Sequence, residues 1–113
     1  LLRYRHFEPI ERRQPQVAED YARWFLARLR SLEQRLTAQD FICAGRFSAA
    51  DISVGYALLL AQHLDLASQF TPAVAAYWQR LQLRPAYRQA QDRQWAAARE
   101  QGLPPIAAPD LRP

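Results

Sequence analysis

The hydrophobic positions of this chain recur at spacings of three and four residues, which is the repeat of a helix with one buried face. In the first such segment, residues 15–37, the apolar stripe consists of Val17, Tyr21, Phe25, Leu29, Leu32 and Leu36. Similar segments run from 48 to about 64, from 71 to 84 and from 86 to about 101. Pro15, Pro72 and Pro85 suit the first turn of a helix, and Thr71 is expected to cap the third helix. No alternation of apolar and polar residues is long enough to indicate a β-strand. The pattern therefore predicts an all-α helical bundle with four substantial helices.

The two ends of the chain carry a different pattern. Residues 1–7 resemble the end of a helix, and residues 8–14 form a charged linker interrupted by Pro9. Residues 103–113 contain four prolines, which exclude a regular helix. We expect a single domain over 1–113, with a helix stump and linker at 1–14 and a Pro-rich tail at 103–113. Because the sequence starts with Leu1, we also expect that a preceding domain is missing from it.

The second predicted helix has the most specific start signal in the chain. Ser48 and Asp51 have the spacing of a capping box, in which each side chain bonds the backbone N–H of the other residue. Phe47 and Ile52 flank them at the spacing of a hydrophobic staple. The helix that follows is apolar on almost every side, so we expect it to lie buried in the centre of the domain. Asp51→Ala should cost roughly 1 kcal/mol of stability, or somewhat more if the carboxylate is buried.

The composition is that of a small globular domain. The 113 residues suit one compact domain, and 50% of them are hydrophobic, which is enough for a core without metal or disulfide. The single cysteine, Cys43, lies beside Phe41 and Ile42, so we expect a buried and inert thiol. The three tryptophans are expected in the core or in an interface; they are Trp24, Trp78 and Trp95.

The net charge is +4, and arginine takes every position that lysine or arginine could hold, since the chain has no lysine. The arginines are spread over all segments, which indicates compositional bias rather than a basic patch, and we expect no nucleic-acid partner. The longest apolar run is too short to cross a membrane, so no membrane partner is expected. His6 and His63 have no neighbours at metal-ligand spacing, so no metal site is expected.

Three motifs together resemble the C-terminal helical domain of bacterial-type cytosolic glutathione S-transferases. The segment from Gly45 to Ile52, Gly-Arg-Phe-Ser-Ala-Ala-Asp-Ile, resembles the capped start of that family's central helix. The segment from Pro72 to Leu81, followed by Arg-Pro-Ala-Tyr at 84–87, is similar to the family's later helix pair. Upstream, residues 29–36 are similar to its Leu-x-x-Leu-Glu-x-x-Leu helix.

The resemblance implies a function for a longer parent protein. Such a parent transfers glutathione, its co-substrate, to small electrophiles in the cytoplasm. Its thioredoxin-like N-terminal domain, which this sequence lacks, would supply the thiol-activating residue. The helical domain would supply the apolar co-substrate wall and homodimer contacts, with Tyr4, His6 and Phe7 nearest the electrophile. Because no catalytic residue is assigned to this chain, we expect it to be inactive alone and to have no cofactor of its own.

One other hypothesis remains open. Helical domains of this kind also act as non-catalytic protein-interaction modules in translation assemblies, where the first domain needs no Ser, Tyr or Cys after its first strand. A nucleic-acid-binding role is disfavoured, because Arg84, Arg88, Arg93 and Arg99 do not share one helix face, and a steep dependence of DNA affinity on salt would be needed to revive it.

Overall fold

The computed structural model describes residues 1–104, and these form a bundle of four helices with no strand among them. A π-helical turn at Arg3–Phe7 and a 3₁₀ turn at Ile10–Arg12 precede helix α1, Pro15–Ala38. Helix α2 is Ala49–His63, α3 is Pro72–Gln82 and α4 is Pro85–Glu100, with a 3₁₀ turn at Ala67–Gln69 between α2 and α3. The predicted fold class and its four helices are confirmed. The predicted tail beyond Pro104 lies outside the described residues.

The core lies where α1, α2 and α3 meet. Its buried side chains are Leu29, Leu36, Ile42, Leu58, Val74, Tyr77, Trp78 and Leu81. Helix α1 packs mainly against α3, and a second small cluster ties the end of α2 to the connection that follows it. Helix α4 has no fully buried residue, so it lies on the outside of the bundle.

Helix α2 departs from its predicted burial. One side is buried, through Asp51, Gly55, Leu58 and Ala61. On the other side Ile52 is 62% exposed and Tyr56 is 61% exposed, although both are apolar. The prediction of a helix buried all round was wrong for the described residues, because no element among them covers this side. The expected staple partner of Phe47 is thus an exposed side chain, while Phe47 itself packs against the core.

Three local expectations also need correction. Tyr21, predicted in the core stripe of α1, is 48% exposed, and Ala18 takes the buried position one turn earlier. Cys43 is exposed rather than buried, because the loop after α1 turns inward at Ile42 and outward immediately after it. Thr71 occupies the N-cap position of α3, but its hydroxyl donates to the Glu33 carboxylate on α1 instead of capping its own helix.

Gly55 allows α2 and α3 to lie close together. A methyl group at this position would lie 3.0 Å from the Leu81 Cδ1 atom, which is tighter than ordinary van der Waals contact. Leu81 is itself buried, so it has little space to move away. The glycine therefore serves interhelical packing rather than an unusual backbone angle. In residues 1–104 no helix is both long and apolar enough to span a membrane.

Candidate functional site

The three predicted electrophile-contacting residues share the first short turn but do not converge on one cavity. Tyr4 lines a groove of about 560 Å³ between that turn, the first half of α1 and the connection after α2. His6 and Phe7 are not among the residues lining this groove, and Phe7 is 52% exposed. Of the three predicted residues, the structure therefore places Tyr4, and not His6 or Phe7, on the wall of this groove.

The groove beside Tyr4 combines an apolar floor with a cationic rim. Ala18, Ala22, Leu26 and Leu66 are among the residues of its apolar lining. The rim includes three arginines, Arg5, Arg13 and Arg23, and one carboxylate, Glu19. Sequence reasoning missed Arg5 and Arg13 because their position depends on how the N-terminal turn folds onto the bundle.

Two of the three arginines lining the groove donate hydrogen bonds to backbone carbonyls. The Arg5 guanidinium donates to the Leu64 carbonyl at 2.9 Å, at the C-terminal end of α2, where a positive charge also suits the helix dipole. Arg13 donates to the Glu8 carbonyl at 3.0 Å and to the His6 carbonyl at 3.2 Å. These contacts give Arg5 and Arg13 a structural role in holding the N-terminal turn, while Arg23 forms an ion pair with Asp20 on its own helix. The floor of the groove is thus suited to holding an apolar molecule.

Asp51 is the most highly connected buried polar group of the described chain. Its side chain is 1% exposed, and the Ser48–Asp51 capping box is formed at the start of α2. The carboxylate accepts the Ser48 backbone N–H at 2.8 Å and the Ile42 backbone N–H at 3.0 Å. It also accepts the Tyr77 hydroxyl at 2.8 Å. One side chain therefore joins the loop after α1, the start of α2 and the middle of α3.

The protonation states of this cluster follow from its surroundings. Burial acts to raise the pKa of Asp51, but the hydrogen bonds from Ile42, Tyr77 and Ser48 outweigh it and leave that pKa below its ordinary value. Burial, followed by the hydrogen bond to Asp51 and its negative charge, raises the pKa of Tyr77. At neutral pH the carboxylate is therefore ionised and the phenol protonated. Both groups have a structural role, because their hydrogen bonds join the loop after α1, α2 and α3.

The hydrogen bonds of the Asp51 carboxylate make the stability of the fold depend on pH. Because the pKa of Asp51 is lower in the folded state, its contribution to stability is present above its unfolded pKa, near 4, and is lost as pH falls through the folded pKa. We expect the stability gap between the native chain and Asp51→Asn to be constant from about pH 7 to pH 5 and to narrow below about pH 4. Urea unfolding of both proteins at each pH measures this difference in stability. A gap that stays constant down to pH 2.5 would contradict the prediction.

A second cavity lies between α2 and α4. It has a volume of about 460 Å³, and its walls include Phe47, Ile52, Tyr56, Trp78 and Tyr87. The Trp78 and Tyr87 rings meet edge to face, with centroids 5.7 Å apart. Sequence reasoning missed this cavity because it assigned the apolar side of α2 to the core. Among residues 1–104, no cluster of three or more His, Cys, Asp or Glu side chains could hold a metal ion.

The comparison with protein families agrees with this architecture. The family model described as "Glutathione S-transferase, C-terminal domain" matches residues 2–85, which include the N-terminal turn and helices α1 to α3. No curated protein and no solved structure gave a significant match. A family match over most of the chain, together with the all-helical fold and the capped start of α2, settles the assignment. This chain belongs to the family of glutathione S-transferase C-terminal domains.

Proposed function

We propose that this chain is the helical domain of a glutathione-dependent transferase that conjugates or reduces small electrophiles in the cytoplasm. In this proposal the domain supplies the apolar wall of the electrophile site and contacts between two protomers. The observation that supports it best is the groove beside Tyr4, whose floor is apolar and whose volume of about 560 Å³ suits a small organic molecule.

The proposal divides the chemistry between two domains. Attack by glutathione requires a thiolate, and the thiolate needs a hydrogen-bond donor or a positive charge close to the sulfur. At the groove, Arg5 and Arg13 already donate to backbone carbonyls, and Arg23 forms an ion pair with Asp20. We therefore assign thiol activation and glutathione binding to a thioredoxin-like domain, with glutathione as co-substrate, and electrophile contact to Tyr4. His6 and Phe7 remain proposed neighbours of that site once the partner domain is in place.

The proposal predicts a specific pattern of binding for this chain alone. Calorimetry should detect no micromolar binding of glutathione, and the rate of glutathione addition to chlorodinitrobenzene should equal the uncatalysed rate. The same aromatic electrophile should bind weakly at the groove, and Tyr4→Ala should weaken it by about fivefold through lost ring contact.

Ile10→Ala is the matched control, because Ile10 is 64% exposed and is not among the residues lining the groove. This variant should bind the electrophile like the native chain. Micromolar glutathione binding, or turnover by this chain alone, would contradict the proposal.

A non-catalytic interaction module with the same fold is the second candidate. It is favoured by the exposed aromatic pair on α1, where Tyr21 and Trp24 meet edge to face and Arg28 stacks on Trp24 at 4.4 Å. A partner thioredoxin-like domain without a Ser, Tyr or Cys after its first strand would decide for the module. Light scattering tests the protomer contacts: we expect weak association at micromolar concentration for this chain alone.

A further inference from the structure

The N-terminal turn that carries Tyr4 is closed twice between the same two residues. The Glu8 backbone N–H donates to the Arg3 carbonyl at 2.9 Å, which is the hydrogen bond of a π-helical turn. The Arg3 Nε atom also donates to one oxygen of the Glu8 carboxylate at 2.6 Å. The other oxygen lies 3.8 Å from the Arg12 Nε atom. Side chains thus reinforce a backbone bond of a rare type.

The ion pair matches the π-helical form of the turn and not the α-helical form. Immediately before it, the Arg5 N–H donates to the Leu1 carbonyl at 3.1 Å, which is the ordinary α-helical spacing. If the Glu8 N–H bonded to the Tyr4 carbonyl in the same way, the turn would tighten and the Tyr4 side chain would move relative to α1. The Arg3–Glu8 pair opposes this change, because residues five positions apart are neighbours on a π turn, whereas α-helical neighbours are three or four apart.

Arg3 also links the Glu8 carboxylate to the Tyr4 ring. The Arg3 guanidinium carbon lies 5.6 Å from the centroid of that ring, within range of a cation–π contact. The Glu8 side chain is 12% exposed, and neither Glu8 nor Arg3 is among the residues lining the groove beside Tyr4. Arg5 and Arg13 hold the same turn, but both line the groove themselves. An effect of Glu8 on a molecule in the groove therefore passes through Arg3 and Tyr4.

We propose that Glu8 is a positioning residue of the electrophile site. Its carboxylate orients Arg3 and keeps the N-terminal turn in its π-helical form, and this places the Tyr4 ring on the wall of the groove. The inference rests on the proposed function, in which Tyr4 contacts the electrophile. Glu8 itself touches no substrate in this arrangement. Without the carboxylate, the turn adopts α-helical bonding and the ring leaves the position in which it binds a small aromatic molecule.

The first test follows the Tyr4 ring without any ligand. The chain is labelled with 3-fluorotyrosine, and Tyr4→Phe assigns the Tyr4 signal among those of the five tyrosines in the fluorine NMR spectrum. We expect Glu8→Gln to shift the Tyr4 signal and to leave the other signals in place. Glu11→Gln is the matched control, because it removes the same charge from an exposed residue outside the groove, and should shift nothing.

The second test measures binding at the groove. Dinitrobenzene is the probe, since it resembles the electrophile but has no leaving group and cannot arylate the exposed Cys43. Titration followed by the fluorine signals should show about threefold weaker binding to Glu8→Gln than to the native chain, and native affinity in Glu11→Gln. In an Arg3→Gln background, Glu8→Gln should have little further effect, because the two residues act as one pair. Arg3→Lys, which keeps the charge, should restore most of the affinity lost in Arg3→Gln.

These measurements separate the positioning role from the proposed function. An unchanged Tyr4 signal in Glu8→Gln overturns the positioning role, whether or not dinitrobenzene binds. Equal weakening by Glu8→Gln with and without Arg3, or by Glu11→Gln, would also overturn it. Binding of dinitrobenzene away from Tyr4 would contradict the proposed electrophile site, while a shifted Tyr4 signal in Glu8→Gln would still support the hold of Glu8 on the turn.

Discussion

Asp51→Ala is expected to lower the free energy of unfolding by about 4 kcal/mol, several times what a helix cap contributes. The substitution leaves four donors without their acceptor: the buried Ile42 N–H and Tyr77 hydroxyl, and the partly buried N–H and hydroxyl of Ser48. A buried donor that loses its partner loses the bond and keeps the cost of its desolvation. Urea unfolding followed by circular dichroism measures the change.

Graded variants separate the contributions to this effect. Tyr77→Phe removes one donor and keeps the ring in the core, so it should cost about 1 kcal/mol. Asp92→Ala is the matched control, because Asp92 is an exposed carboxylate on α4, and it should change stability by less than about 0.5 kcal/mol. A loss of only about 1 kcal/mol for Asp51→Ala would mean that the carboxylate acts as a local cap and that its contacts with Ile42 and Tyr77 contribute little.

Trp78→Ala should also lower the free energy of unfolding by about 4 kcal/mol, through cavity formation in the core. The Trp78 side chain is 4% exposed, and its ring packs edge to face on Tyr87. Its indole N–H donates to the Gln62 side-chain oxygen at 2.6 Å, which links α3 to the end of α2. Truncation therefore removes a large apolar surface and a hydrogen bond together.

Trp24 offers a matched comparison within the same chain. It is 57% exposed on α1 and contacts Tyr21 and Arg28 at the surface. Trp24→Ala should therefore cost less than about 1 kcal/mol, by the same unfolding measurement. If Trp78→Ala prevents folding, Trp78→Phe provides a milder truncation that should still cost more than Trp24→Ala. Equal effects of the two alanine variants would show that Trp78 contributes no more to stability than an exposed ring at the surface.

The sequence located the helices closely because their signals are local. Proline at the first helical position marks α1, α3 and α4, and the Ser48–Asp51 spacing marks α2. These signals depend on residues within one turn of each other, so no tertiary information is needed to use them. The same reasoning was wrong about Thr71, which was expected to cap α3, because its hydroxyl donates to the Glu33 carboxylate on another helix, 38 positions earlier in the chain.

The candidate sites were less accessible from the sequence. Tyr4 was predicted to contact a ligand and does line a groove, but the arginines around it come from the folding of the N-terminal turn onto α1 and α2. The cavity between α2 and α4 was missed altogether. An apolar residue on an apolar helix predicts burial, and only the arrangement of neighbouring helices shows whether anything covers it.

The sequence by itself determined the class of fold, the starts of its helices and the local cap of α2, because each depends on short-range spacing of side chains and backbone donors. Only the tertiary structure decided that Asp51 also bonds Ile42 and Tyr77, nine and 26 positions away. It likewise decided that Ile52 and Tyr56 line the cavity between α2 and α4 and are not part of the core. Burial and long-range hydrogen bonds depend on which segments meet in space, and the periodicity of one helix does not contain that information.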